Sequence, residues 1–301
     1  MNPTVSVVVP TLNRCDTLAH VLPTLAAQTV AADGFEILLC DTGSTDGTKA
    51  LVARLGIPNL TLVEIEHGER SVARNAGIRR ARGAIVLFTD ADILADTRLV
   101  EEHVRAHAAH PGAAIVGWES RVASLEQYRQ VAAAPERRHR LHAPRVRRLP
   151  WMFFLTGNAS AARDVLLRVG SFDETFTGYG HEDLDLGYRL RRMGVPIVYQ
   201  PAAINYHWHP ESFAVRCSKM ELAGRATVRF YRKHRDWRIL LRLGVNPISL
   251  GLHGLLPSSG RIVRACAARA DDSAVCREIA LQHRYLTGVK AAWRRPAGQS
   301  D

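Results

Sequence analysis

Two aspartates separated by one alanine, Asp90-Ala91-Asp92, stand directly after the apolar run Ile85-Val86-Leu87-Phe88. Carboxylates two positions apart on the turn after a strand can hold a divalent cation against a diphosphate. Hard oxygen ligands suit Mg2+ or Mn2+, and such an ion neutralises charge on a phosphate leaving group. A solvated turn or a helix cap would carry the same pattern. A second acidic turn, DTGSTDGT over Asp41–Thr48, offers Asp41 as an acceptor for a nucleotide base and Asp46 as a cap for the following helix. Arg70 and Arg74, in GERSVARNAG, are cations that could face a diphosphate, whereas Arg79, Arg80 and Arg82 suit a solvated helix face. Glu182 and Asp183, in HEDLDLGYRLRRMG, fall in the first turn of a helical pattern, where negative charge complements the helix dipole. In that helix Leu186, Leu190 and Met193 would face the core, and Asp185 points elsewhere. Read singly, Asn158 in TGNAS is a turn residue and His207 in YHWHP a satisfied polar one. Trp151 and Tyr179 are aromatic candidates for stacking on a ligand ring, with core packing the simpler role for Trp151.

These residues need elements to hold them. Thr4–Pro10, Phe35–Cys40, Leu60–Ile65, Ala84–Thr89 and Ala113–Trp118 read as strands; Cys15–Gln28, Asp46–Leu55, Arg70–Arg82 and Thr97–Ala109 read as helices. Nearly continuous apolar strands alternating with helices imply an α/β fold whose mostly parallel sheet is covered by helices on both faces. Ligands of such sheets bind beyond the carboxyl ends of the strands, where Asp41 and Asp90 both fall. Residues 136–148, with six arginines, two histidines and a proline, offer no apolar face and read as a loop. That loop could close over a bound ligand, recognise an anionic one, or simply be solvated. A second half of the same domain begins near Trp151, and the chain after Pro210 is helical and rich in arginine.

VSVVVPTLNR, then DTGSTDGT, then ARNAGIRRARGAIVLFTDAD together resemble, in order and spacing, the family 2 glycosyltransferases of the GT-A fold. The resemblance extends over roughly residues 4–211, and its second half is similar to the chondroitin-polymerase-like and galactosyltransferase-like members. It implies a donor half over about 1–120 and an acceptor half over about 150–211, and the basic helical residues 212–301 read as an extension beyond it. By the same resemblance Thr11 and Asp41 line the nucleoside pocket and Asp90 contacts the ribose or bridges to the metal, with Arg70 and Arg74 as the donor-side cations already read from the helix. Asp92 is the implied direct metal ligand, with His207 completing the site and His209 in reserve. A His beside carboxylates favours Mn2+ over Mg2+. Asp183 of the Glu182-Asp183 pair is the implied general base of an inverting transfer, with Glu182, Asn158 and Tyr179 on the acceptor side. Two positions depart from the usual pattern: Thr42 stands where a second acid follows Asp41, and Ile93 where a further acid follows the paired aspartates. The implied donor is a nucleotide-sugar, with UDP-sugar as the default, and the acceptor a glycan, lipid-linked or small-molecule hydroxyl.

Charge is unevenly placed along the 301 residues. Residues 1–211 carry 23 basic and 23 acidic side chains, whereas residues 212–301 carry 17 and 6, so the whole net charge of +11 lies in the extension. A chain coating nucleic acid would be basic throughout, so nucleic acid is not an expected partner. Apolar stretches at Ile239–Leu243 and Ile248–Leu256, set among Arg232, Lys233, Arg235, Arg238 and Arg242, raise peripheral contact with an anionic membrane surface instead; a packed helical extension with solvated arginines is the alternative. Five scattered cysteines without metal-ligand spacing fit a reducing compartment. No run approaches the roughly 18 apolar residues of a spanning helix. The expectation is therefore a cytoplasmic protein, possible at the cytoplasmic membrane face. Two other activities are weighed: a sugar nucleotidyltransferase, which would place a glycine-rich loop after the first strand where VPTLNRCDT has none, and a nucleotide-sugar-binding protein without catalysis, which would not need Asp90, Asp92, Glu182 and Asp183.

Overall fold

A strand that buries every residue, rather than every second one, must be covered on both faces. Strands β1 (Val5–Thr11) and β2 (Phe35–Asp41) are buried throughout. In the computed structural model, which describes residues 3–134, 148–208, 212–255, 261–270 and 272–294, they are interior strands of an eight-stranded sheet. The other strands are β3 (Leu60–Glu64), β4 (Ile85–Phe88), β5 (Ile93–Ala95), β6 (Ala114–Arg121), β7 (Ala159–Ala162) and β8 (Ile197–His207). Their order is β3-β2-β1-β4-β7-β6-β8-β5, with β1–β4 mutually parallel, β6 parallel to β8, and β7 and β5 antiparallel to their neighbours. After β3 the chain returns to the far side of β1 as β4, which makes a topological switch point at the carboxyl ends of β1 and β4.

Side chains alternate between two apolar layers, as the pleat requires. Val5, Val7 and Val9 of β1 pack with Leu18, Val21, Leu22 and Leu25 of α1 (Cys15–Ala26) and with Leu99 and Val100 of α4 (Leu99–Ala109). Val8, Leu38 and Phe88 face the opposite layer, with Ala73 and Ile78 of α3 (Arg70–Arg80), Leu166 of α6 (Arg163–Arg168), and Leu186 and Leu190 of α7 (Glu182–Arg192). Helices α2 (Thr48–Leu55) and α5 (Leu125–Ala132) complete this part.

Several boundaries differ from the sequence reading for local reasons. Asp46 accepts from the backbone N–H and hydroxyl of Thr48, but Gly47, in the left-handed region at φ 90°, is the residue before α2. Arg82 lies beyond α3 and is more than solvated: its backbone N–H and Nε both reach the buried carboxylate of Glu36. Met193 does not join the core; α7 ends at Arg192, Gly194 turns the chain at φ 81°, and Met193 is exposed.

The chain divides into two compact units, one of residues 1–175 with 182–209, the other of 176–181 with 210–301. In the second, α8 (Phe213–His234) packs along α12 (Ala274–Arg294), accompanied by α9 (Trp237–Arg242), α10 (Pro247–Leu255) and α11 (Arg261–Ala268). Gly224 and Gly288 are what let the two long helices touch: a Cβ on either would overlap the other's backbone, at Tyr285 and Glu221 respectively. Val228, Tyr285, Leu286 and Val289 form the core there. Among the described residues, no helix is long and apolar enough to cross a membrane.

Candidate active site

Arg74 is the hub of the first unit. Residues at i, i+3 and i+4 share a helix face, so the stripe of α3 that buries Ala73, Gly77 and Ile78 against the sheet also turns Arg74 inward. Only 2% of its side chain is exposed, and a guanidinium that deep must be paired. Nη2 donates to Asp90 Oδ1 at 2.8 Å and Nη1 donates to Glu182 Oε1 at 3.0 Å. One side chain thus joins α3, the turn after β4 and the first residue of α7.

The carboxylates around it are driven apart. Burial pushes Asp90 up, and Asp92 adds to this against the pull of Arg74. Burial also opposes ionisation of Glu182, but Arg74 and then Arg70 outweigh it and hold Glu182 below the usual carboxylate range. Asp183 is pushed up to about 7, first by burial and then by the charge of Glu182, against Arg74 and the Leu184 N–H that donates to its Oδ1 at 2.8 Å. Two neighbouring carboxylates with separated affinities for protons are the arrangement expected of an acid–base site.

A second group sits at the end of β8. Pairing of β5 with β8 sets Ile93 opposite His207, which brings Asp92 alongside. His207 Nε2 lies 3.6 Å from Asp92 Oδ2, and Nδ1 lies 3.5 Å from Glu119 Oε1. Hydrogen bonding to Asp92 and then to Glu119 pushes the ring up to about 10, so a cation held there would compete with a proton. Among the described residues, no group of three or more His, Cys, Asp or Glu side chains could enclose an ion. One carboxylate and one imidazole nevertheless have the donor chemistry of a divalent site whose remaining ligands are phosphate oxygens and water. Glu119 was not singled out by the sequence reading, which ended its strand at Trp118. The only signal is alternation: β6 runs on to Arg121, burying Trp118 in part and leaving Glu119 half-exposed.

At the other side of the switch point, Thr11 and Asp41 are paired residues of the β1–β2 ladder. Asp41 Oδ1 accepts from the backbone N–H of Ser44 at 3.0 Å and from its hydroxyl at 2.6 Å. Thr42, in place of a second acid, donates both its N–H and its hydroxyl to the Thr11 carbonyl. Thr11 Oγ1, Thr89 Oγ1, Ser71 Oγ and Arg74 Nε are buried without a hydrogen-bond partner. Leaving such a group unsatisfied costs about 1–3 kcal/mol. They lie on or next to the elements that meet near this edge.

The remaining candidates have partners of their own. Asn158 is a correction: its Nδ2 donates to the carbonyls of Trp118 and Ala203, and its Oδ1 meets His103 Nε2 at 2.9 Å, so a buried amide this committed has nothing to offer an acceptor. Asp185 is buried against Arg189. Trp151 packs edge-on against Tyr188. Tyr179 belongs to the second compact unit, under the Lys219 ammonium. His209 and residues 135–147, the greater part of the arginine-rich loop, lie outside the described residues.

The model of the family described as glycosyl transferase family 2 matches residues 6–170. Validoxylamine A glucosyltransferase of Streptomyces hygroscopicus subsp. jinggangensis is 35% identical over 230 residues, covering 65% of this chain and 53% of that protein. Chondroitin synthase of Escherichia coli is 28% identical over 238 residues, covering 68% and 34%. The chain therefore spans about half the length, or less, of these curated relatives. Among solved structures, the mannosyltransferase PcManGT from Pyrobaculum calidifontis, in complex with GDP-Man and Mn2+, superposes with a TM-score of 0.67 at 23% identity, over 98% of this chain and 88% of that one. S. aureus TarS 1-349 in complex with UDP-GlcNAc gives 0.57 at 15% identity, over 97% and 92%. At such identities the superpositions speak for the fold alone.

Proposed function

The chain belongs to glycosyl transferase family 2, and on that premise we propose that it moves a sugar from a nucleotide-sugar to an acceptor hydroxyl with inversion at the anomeric carbon. The observation that carries this reading is the Arg74 bridge, which gathers Asp90 and Glu182 from distant parts of the chain beside a carboxyl group with a proton affinity near neutrality.

Asp183 takes the proton of the acceptor hydroxyl as its oxygen bonds to the anomeric carbon. The bond from that carbon to the diphosphate oxygen breaks on the opposite face, and the nucleoside diphosphate leaves. A carboxylate is a sufficient base because the hydroxyl becomes acidic only as the new bond forms. Glu182, ionised and fixed by Arg74, positions the acceptor. Thr11 and Asp41 line the nucleoside, with Asp41 on the base; Asp90 serves the ribose, and Arg70 and Arg74 place positive charge toward the phosphates. Asp92 and His207 are the residues that would hold Mn2+ or Mg2+, whose chemistry is to neutralise the departing diphosphate. A UDP-sugar is the donor we favour, and the acceptor is a glycan, a lipid-linked sugar or a small molecule. The named activities of the relatives agree with this class without choosing among its members.

The test is Asp183→Asn. Transfer, followed as release of UDP from UDP-sugars, should fall by about 10²–10⁴-fold, while calorimetric binding of the donor stays near that of the parent chain. Full turnover in this variant overturns the assignment.

A specific surface favours work at a membrane. Residues 237–270 contain no Asp or Glu and carry Arg238, Arg242, Arg261, Arg264 and Arg269. Trp237 and Leu241 of α9 and Ile248, Leu252 and Leu255 of α10 are exposed, the last three at the i, i+4, i+7 spacing of one helix stripe. Apolar side chains flanked by arginines suit an interface of anionic lipid, with Asp236 before α9 and Glu278 beside Leu252 as the nearby carboxylates.

A further inference from the structure

We propose that Glu119 is a positioning residue for His207, and that residue 157 is a glycine because any side chain there would displace the Glu119 carboxylate. The inference rests on the reading of Asp92 and His207 as the cation-holding pair.

The two nitrogens of an imidazole point away from each other, and here each faces a different carboxylate: Nε2 faces Asp92 at 3.6 Å and Nδ1 faces Glu119 at 3.5 Å. Glu119 therefore lies across the ring from the Asp92 side and is not a companion ligand on it. Its use is to engage Nδ1, which fixes the ring's rotation and tautomer and leaves the Nε2 lone pair for a cation beside Asp92. Carboxylate partners of metal-binding histidines act in this way, and losing one weakens metal affinity about 10–100-fold.

The backbone behind Glu119 is built to hold it. A Cβ on Gly157 would overlap Glu119 Oε2 and, less severely, crowd Ile93 Cδ1, so the carboxylate rests directly against the glycine. Gly157 cannot retreat. Its carbonyl accepts from Asn205 Nδ2 of β8 at 2.6 Å, and the next residue, Asn158, is pinned to both β6 and β8. Gly117 N–H donates to the Asn158 carbonyl at 2.9 Å. His103 closes the arrangement from α4, with Nε2 2.9 Å from Asn158 Oδ1 and Nδ1 2.8 Å from Ser160 Oγ. This locked segment spans the place where the β6–β8 register shifts, between Gly117 and Trp118, just before Glu119. The committed amide of Asn158 acquires its purpose here, in setting the strand ends that bear Glu119 and His207.

The experiment measures Mn2+ affinity of the full chain in the presence of UDP, from the electron paramagnetic resonance of free Mn2+, together with the thermal midpoint. Glu119→Ala should weaken Mn2+ about 10–100-fold, and Glu119→Gln, which can still meet Nδ1, should recover part of that loss. Gly157→Ala should weaken Mn2+ in the same direction, and adding it to Glu119→Ala should cost less than it does alone, because the oxygen it displaces is already gone and only the contact with Ile93 remains. Parent-like Mn2+ affinity in Glu119→Ala overturns the proposal, as does equal loss in the Gln and Ala variants. Asp92→Asn separates the two readings: if it leaves Mn2+ binding intact, the cation pair itself is wrong; if it abolishes binding while Glu119→Ala does not, only the positioning role fails.

Discussion

Arg74 shows how much one buried charge can organise. Its planar fork reaches at once the buried Glu182 and Asp90, whose side chain is 31% exposed. Arg74→Met should therefore lower stability by about 3–5 kcal/mol, since it strands the buried Glu182 and takes the partner from the part-exposed Asp90. Chemical denaturation checks this. The same electrostatics set a pH profile. Because Asp183 must be ionised to accept a proton and its carboxyl is held up to about 7, kcat/KM should be low in acid and climb as pH rises through about 7. Glu182 is one of the groups raising that value, so Glu182→Gln should move the rising limb to lower pH, whatever it does to the maximum rate. A limb that stays in place would show that another group is being titrated. Arg74 was legible as a donor-side cation, but its pairing with Glu182, 108 positions away, was not, because nothing local encodes that contact.

Among the elements, α3 depends on Gly77. A Cβ there would overlap Val8 and crowd the Cys40 sulfur, so the helix lies against β1 and β2 at a distance only glycine permits. Gly77→Ala should push the helix outward and destabilise the fold by about 1–3 kcal/mol, and it should also weaken donor binding, because Arg74 sits one turn earlier. Urea titration and donor calorimetry together test that coupling. Strand and helix positions in the donor half were readable because each runs in a continuous apolar period. The ends were less so. Glu36 draws Arg82 out of the helix through two hydrogen bonds made across the fold, and Gly194 ends α7 before Met193 can turn inward. The extension of β6 through Glu119 was missed for a like reason: its last residues are held by pairing to β8, not by their own hydropathy.

At the scale of the molecule, the chain is two compact units, and the charge surplus belongs to the residues of the second. If the α9–α10 surface meets anionic lipid, the protein should float with phosphatidylglycerol vesicles and not with phosphatidylcholine vesicles. High salt should release it, and Ile248→Asp with Leu252→Asp should abolish flotation while UDP release on soluble acceptors continues. Absence from both vesicle fractions removes membrane contact from the account, and salt-insensitive self-association would identify the same apolar stripe as a contact between copies. The charge was plain in the sequence, but the exposure of its apolar companions was not. Ile239 and Leu241 lie two positions apart in one run, yet the first is buried and the second exposed.

The sequence by itself determined the alternation of strands and helices, the family, the placement of acids at strand ends and the charge of the extension, since each is written in short-range order. Tertiary structure alone decided that Arg74 joins Asp90 to Glu182, that Asn158 serves the sheet rather than an acceptor, that Met193 stays outside, and that Glu119 stands behind His207. Those contacts depend on strand order and register. Proton affinities depend on burial and on neighbours distant in the chain, so a carboxyl near pH 7 becomes visible only when the fold has brought its neighbours together.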